Sequence, residues 1–219
     1  MTQCDPYPTF ARPERLADAV MHVAGVAFSV LVTIIVLIWA THQEIIDTRL
    51  IFGLAVYGIS MTASFVASSC YHFTPWEHIR PALRRVDHAA IHLKIAGTYT
   101  PLVMLVNSTF AYGILAVVWG SAALGVATKL FFWARPTRWG VALYVGMGWL
   151  SVALLPSLVP VISALSLTLI VAGGLLYSVG AVLFSIDDLP FQNAIWHGFV
   201  LAASACFFAA IILGVFLPP

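Results

Sequence analysis

The stretch AVMHVAGVAFSVLVTIIVLIWA, Ala19 to Ala40, contains no Asp, Glu, Lys or Arg. At 1.5 Å rise per residue, about 20 such residues cross the roughly 30 Å hydrocarbon core of a bilayer. A polar leader of mixed charge precedes it, with Arg12, Glu14, Arg15 and Asp18. A signal-peptide core is shorter, about 7–15 residues before a small-residue cleavage site. The stretch therefore reads as an uncleaved first membrane helix.

Six further apolar runs extend the pattern, at about residues 50–72, 87–106, 110–133, 139–155, 161–184 and 193–216. The fifth is the shortest, with Pro156 and Pro160 expected to mark its exit turn. In lipid each backbone group must be satisfied within its own segment, and these runs overshoot the 9–11 residues of a barrel strand. The expectation is an all-α polytopic membrane protein, a single seven-helix transmembrane domain spanning residues 1–219. The longest connection, Phe73 to Val86, has room for a short interfacial helix and none for a soluble core.

Composition agrees. Hydrophobic residues make up 61% of the 219 and charged residues 9%, with a mean hydropathy of +0.98. An ordinary soluble domain carries about 25% charged residues. A cytosolic enzyme, a nucleic-acid-binding domain and a disordered chain are excluded. Cys4, Cys70 and Cys206 form neither a C-x-x-C pair nor an even framework, so no disulfide scaffold is indicated.

Lys and Arg set the orientation. With seven crossings, Arg12, Arg15, Arg80, Arg84, Arg85, Lys129, Arg135 and Arg138 lie on one side, and Arg49 alone on the other. The positive-inside rule then places the N-terminus in the cytoplasm and the C-terminus outside. One helix more or fewer would scramble this split.

Ionisable groups at membrane depth are costly and point to function. Asp18 and His22, Ser68 and His72, and Asn193 and His197 are each four apart, so each pair shares a helix face. Asp87, His88 and His92 open the third run. Alternating topology brings all of them near the cytoplasmic ends of helices one, two, three and seven. Imidazole nitrogens and a carboxylate at one depth suit a zinc centre. His72 and His197 are the leading ligands. Asp87 would ligate or orient a water, and Ser68 would steady a water or an oxyanion. The same residues also suit a structural reading, with rim histidines bonding headgroups and Asp87 pairing with Arg84 or Arg85. A proton-coupled route through Asp87, His92 and Lys94 is a third.

Four motifs carry a family resemblance. They are PERLADAVMHVAG at Pro13 to Gly25, SSCYH ending at His72, DHAAIHLKIAGTYTP at Asp87 to Pro101, and IWHGFVLAAS from Ile195. Over nearly its whole length the chain resembles the haemolysin-III-like bacterial branch of the progestin and adipoQ receptor family. The resemblance implies seven helices, an inside N-terminus and a multi-pass place in the bacterial inner membrane. It also implies a zinc held by three histidines, one from S-x-x-x-H and two from H-x-x-x-H, with the third-helix aspartate nearby through water. Receptor-branch members are associated with ceramide hydrolysis, related families include alkaline ceramidases, and bacterial members are linked to membrane lipid homeostasis.

The sequence departs from that pattern at several positions. Asp18 stands where Asn is usual, Asn193 replaces the first histidine of H-x-x-x-H, and Phe207 replaces a further histidine. His92 and Lys94 are polar where aromatic or aliphatic residues are the rule. An amide carbonyl is a weak zinc ligand beside imidazole, so binding is expected to be weak with Asn193 itself as the substitute ligand, unless His88, His92 or His22 moves in. The implied activity is metal-dependent hydrolysis of a lipid amide or ester, with membrane lipids as partners. The alternative is a non-catalytic regulator or sensor of membrane lipids with a degenerate metal site.

Overall fold

A computed structural model describes residues 10–43, 46–131, 138–186 and 188–217. Among these, eight helices occur and no strand: α1 Arg12–Thr41, α2 Thr48–Phe73, α3 Arg80–Val106, α4 Thr109–Phe131, α5 Arg138–Trp149, α6 Ser151–Leu158, α7 Ala164–Phe184 and α8 Gln192–Phe216. Six of them (α1, α2, α3, α4, α7 and α8) are long and apolar enough to cross a membrane. The α5–α6 pair supplies a shorter apolar stretch, Leu143–Leu158, at the position of the expected fifth crossing. The chain is a polytopic helical membrane bundle. Arg135 and the end of the expected fourth run at Trp133 lie outside the described residues.

Two expected boundaries are corrected, and the longest connection is defined. The polar leader is itself the first turns of α1, because Pro13 suits a helix start and Glu14 accepts from the Ala11 N–H at 3.1 Å. The 73–86 connection holds no separate interfacial helix, since α3 starts at Arg80. Buried Arg80 donates to the carbonyls of Tyr71 at 3.1 Å and Thr74 at 3.3 Å, closing the turn out of α2. Pro156 lies inside α6 rather than in the exit turn, and the fifth crossing breaks at Leu150. Tyr99 compensates for that break, its hydroxyl lying 2.7 Å from the Met147 carbonyl and 2.9 Å from that of Gly148.

The most buried span is α3. It packs extensively on α2 and α4, while α8 packs on α7 and α1. Small residues permit the closest approaches, as expected where lipid gives no hydrophobic drive between helices. A Cβ on Gly97 would lie 1.9 Å from Ser60 Oγ, and one on Gly125 would lie 2.2 Å from the His92 ring. Large apolar side chains such as Val23, Ile35, Phe52 and Phe131 face outward, the arrangement of a protein whose solvent is hydrocarbon.

At one end of the bundle, Asp47 caps α2 by accepting from the Arg49 N–H, and Arg49 donates to Asn107 at the end of α3. The guanidinium of Arg49 holds the Asp47 carboxyl below its ordinary range. The opposite end gathers the starts of α1, α3 and α8 with the end of α2. The candidate site is there.

Candidate metal centre

Asp18, His22, His72 and His197 come together from three helices, each offering one ligand atom, all within 4.8 Å of one another. Asp18 is the hub. Its Oδ1 lies 2.7 Å from Nδ1 of His197 and 3.3 Å from Nδ1 of His22, and its Oδ2 lies 3.2 Å from Nδ1 of His72. The imidazole centroids are 4.0 Å apart for His22 and His197, 4.7 Å for His72 and His197, and 4.9 Å for His22 and His72.

Each helix positions its side chain by periodicity. The four-residue step in α1 stacks His22 over Asp18, and the ring's Nδ1–H donates to the Asp18 backbone carbonyl at 2.8 Å. The same step in α2 stacks Ser68 and His72. Ser68 Oγ lies 3.2 Å from Nε2 of His22 and 3.3 Å from Nε2 of His197. Asp87, on α3, stands within hydrogen-bonding reach of Ser68 and close to His72 and His22.

Asp18, His22 and His197 are buried, whereas the His72 side chain keeps 16% of its exposure. It faces a mouth that opens onto the protein surface. Glu14, Arg15, Asn193, Phe10, Phe73 and Phe191 line this mouth around Asp18 and His72. Glu14 ties its rim by accepting from the Phe191 N–H at 2.9 Å.

The structure sorts the residues singled out from sequence. His72 and His197 meet in the cluster, with Ser68 beside them. Asp87 adjoins it, but the carboxylate inside the four-residue group is Asp18. Asn193 lies in the wall of the mouth. His88 neighbours Arg84 and Lys129, and its backbone carbonyl accepts from Tyr144. His92 is turned toward α4 and α5, against Gly125 and 4.5 Å from the Tyr144 ring, so it does not supply the missing nitrogen. Lys94 points a third way, its ammonium 4.3 Å from the Phe65 ring centre and 5.5 Å from that of Tyr177. Asp87, His92 and Lys94 therefore diverge around α3 rather than forming a file. Spacing and depth along the sequence already grouped Asp18 and His22 with the rest; what they did not show is that Asp18, rather than Asp87, is the carboxylate inside the group.

Fold and site together define a polytopic membrane protein with a buried histidine–carboxylate centre at one end of its bundle. Residues 10–208 match the family model described as haemolysin-III related, and the chain belongs to that family. It is 34% identical over 203 residues to Hemolysin-3 of Bacillus cereus, covering 92% of each chain. To the Hemolysin-3 homolog of Bacillus subtilis (strain 168) it is 32% identical, covering 93% of this chain and 95% of the relative. The human monocyte to macrophage differentiation factor is 28% identical over 165 residues, with 71% of this chain and 67% of the relative covered.

Proposed function

We propose that this protein is a metal-dependent, membrane-embedded hydrolase acting on a lipid amide or ester. One observation carries the reading: an acid and three imidazoles, mostly buried, converge from α1, α2 and α8 at one end of the bundle. Three nitrogens and a carboxylate suit zinc, which prefers such donors and leaves a position open in catalytic sites. His22, His72, His197 and the carboxylate of Asp18 would hold the ion or orient the groups that do. When bound, such an ion supplies a Lewis acid and lowers the pKa of a nearby water.

The protein's own groups supply the rest. Asp87, beside Ser68 and His72, is placed to take a proton from the attacking water. The Ser68 hydroxyl is placed to donate toward a developing oxyanion, a role typically worth a few kcal/mol. The apolar rim formed by Phe10, Phe73 and Phe191 suits a substrate that presents its headgroup at the mouth and leaves its chains in lipid.

The test is metal analysis of detergent-purified protein together with fatty-acid release from ceramide and phospholipid. His72→Ala and His197→Ala should each lose the metal and lower turnover at least about 100-fold, the range of a lost catalytic group. Unchanged turnover after complete metal removal would refute the mechanism.

One observation favours a second reading, a non-catalytic regulator of membrane lipids. Asp18 already gives all three Nδ1 atoms an acceptor, so the cluster can also serve as an internal brace. A well-folded, metal-free protein with no turnover is the result that selects this reading.

A further inference from the structure

We infer that the centre takes its metal on the Nε2 atoms of His22, His72 and His197, with Asp18 as a positioning carboxylate rather than a ligand. This rests on the metal-centre reading above and assigns its ligand set. It replaces Asn193 with a histidine from the first helix.

An ionised carboxylate only accepts, so each imidazole nitrogen directed at Asp18 carries a hydrogen. The three nitrogens at 2.7, 3.2 and 3.3 Å are all Nδ1. His22 is fixed twice over, because its Nδ1–H also meets the Asp18 carbonyl at 2.8 Å. In a neutral ring the remaining nitrogen is then a bare lone pair. All three histidines offer Nε2, and only Nε2.

Two of those lone pairs meet at one place. Ser68 Oγ lies 3.2 Å from Nε2 of His22 and 3.3 Å from Nε2 of His197, and the Asp87 carboxylate is within reach of the same hydroxyl. Two imidazole acceptors thus share a group with one hydrogen to give, with the Asp87 carboxyl adjoining it. Buried acceptors facing one another are costly, and a cation beside Ser68 relieves all of them together. On the other side of the rings, between Asp18 and the Nδ1 atoms, a metal would have to displace three existing N–H contacts. A carboxylate that holds the far nitrogen of a metal-binding imidazole, setting its tautomer and direction, is a recurrent arrangement. Here a single carboxylate serves three rings.

The experiment uses full-length protein in lipid nanodiscs loaded with zinc alone. Histidine NMR and X-ray absorption of the wild type should give three imidazoles bonded through Nε2, one of them assigned to His22. Asp18→Asn should keep one zinc per chain and three imidazoles while weakening affinity about 10- to 100-fold, the usual cost of losing an orienting partner. His22→Ala should lower the imidazole count from three to two. Zinc bonded to Nδ1, an Asp18 oxygen bonded to zinc, or a His22 ring free of metal would each overturn the assignment while leaving the metal-centre reading intact. A wild type that binds no zinc would remove both. The wild-type spectra decide the matter even if a variant does not fold.

Discussion

At the residue scale, Asp18 and Asn193 have exchanged importance relative to what the sequence suggested. Asn193 occupies a motif position that invites a ligand role, yet it lies in the wall of the mouth. Asp18 occupies the leader, yet it touches all three histidines. Asn193→Ala should therefore leave both the zinc affinity and the number of oxygen neighbours unchanged, as measured by metal titration and X-ray absorption of the zinc-loaded protein. Loss of an oxygen neighbour with binding at least about 10-fold weaker would restore Asn193 to the ligand set. His72 and His197 were legible from four-residue spacing and motif. The third imidazole was narrowed only to His88, His92 or His22, because periodicity tells which residues share a helix face and says nothing of which neighbouring helix that face meets. His22 and His92 look alike in sequence, each one helical turn from another ionisable residue near the start of an apolar run. One meets α2 and α8 and the other meets α4 and α5.

At the element scale, the fifth crossing is the feature least like a regular span. Its break at Leu150 frees carbonyls that would be costly in hydrocarbon, and Tyr99 reaches them from α3. The Gly148 carbonyl also accepts from Ser151 Oγ at 2.8 Å, so Tyr99→Phe should cost roughly 1–3 kcal/mol through the Met147 carbonyl, the penalty for an unsatisfied buried acceptor, read as a lower melting temperature in detergent. Zinc content should be unaffected, since this contact is remote from the centre. The α3–α4 contact offers a second check. A side chain at Gly125 would run into His92, so Gly125→Ala should destabilise by about 1–3 kcal/mol through overpacking. If His92→Ala in the same chain restores the loss, the steric account holds. The sequence signalled an irregular fifth run through its length and its prolines. It misplaced the irregularity, since Pro156 is accommodated inside α6 and the chain breaks six residues earlier, at Leu150.

At the scale of the whole molecule, charge and depth act together. Arg12, Arg15, Arg80, Arg84 and Arg85 lie in or beside the elements that meet at the site end, while Arg49 is at the other. A topology reporter fused at the C-terminus should therefore report the outside, and one fused at the N-terminus the cytoplasm. Identical locations for both fusions would mean an even number of crossings and would undo the alternation that brings the site together. By itself the sequence determined the solvent, the helical class and the end of the bundle where polar groups gather. Those properties follow from run length and from the cost of burying charge in hydrocarbon, and both can be read along the chain. Only the tertiary structure decided that Asp18 is the hub, that His22 belongs to the centre and that His92 does not. Which helices become neighbours, and how each is rotated, is set by close packing between distant segments, and that information is absent from any one of them.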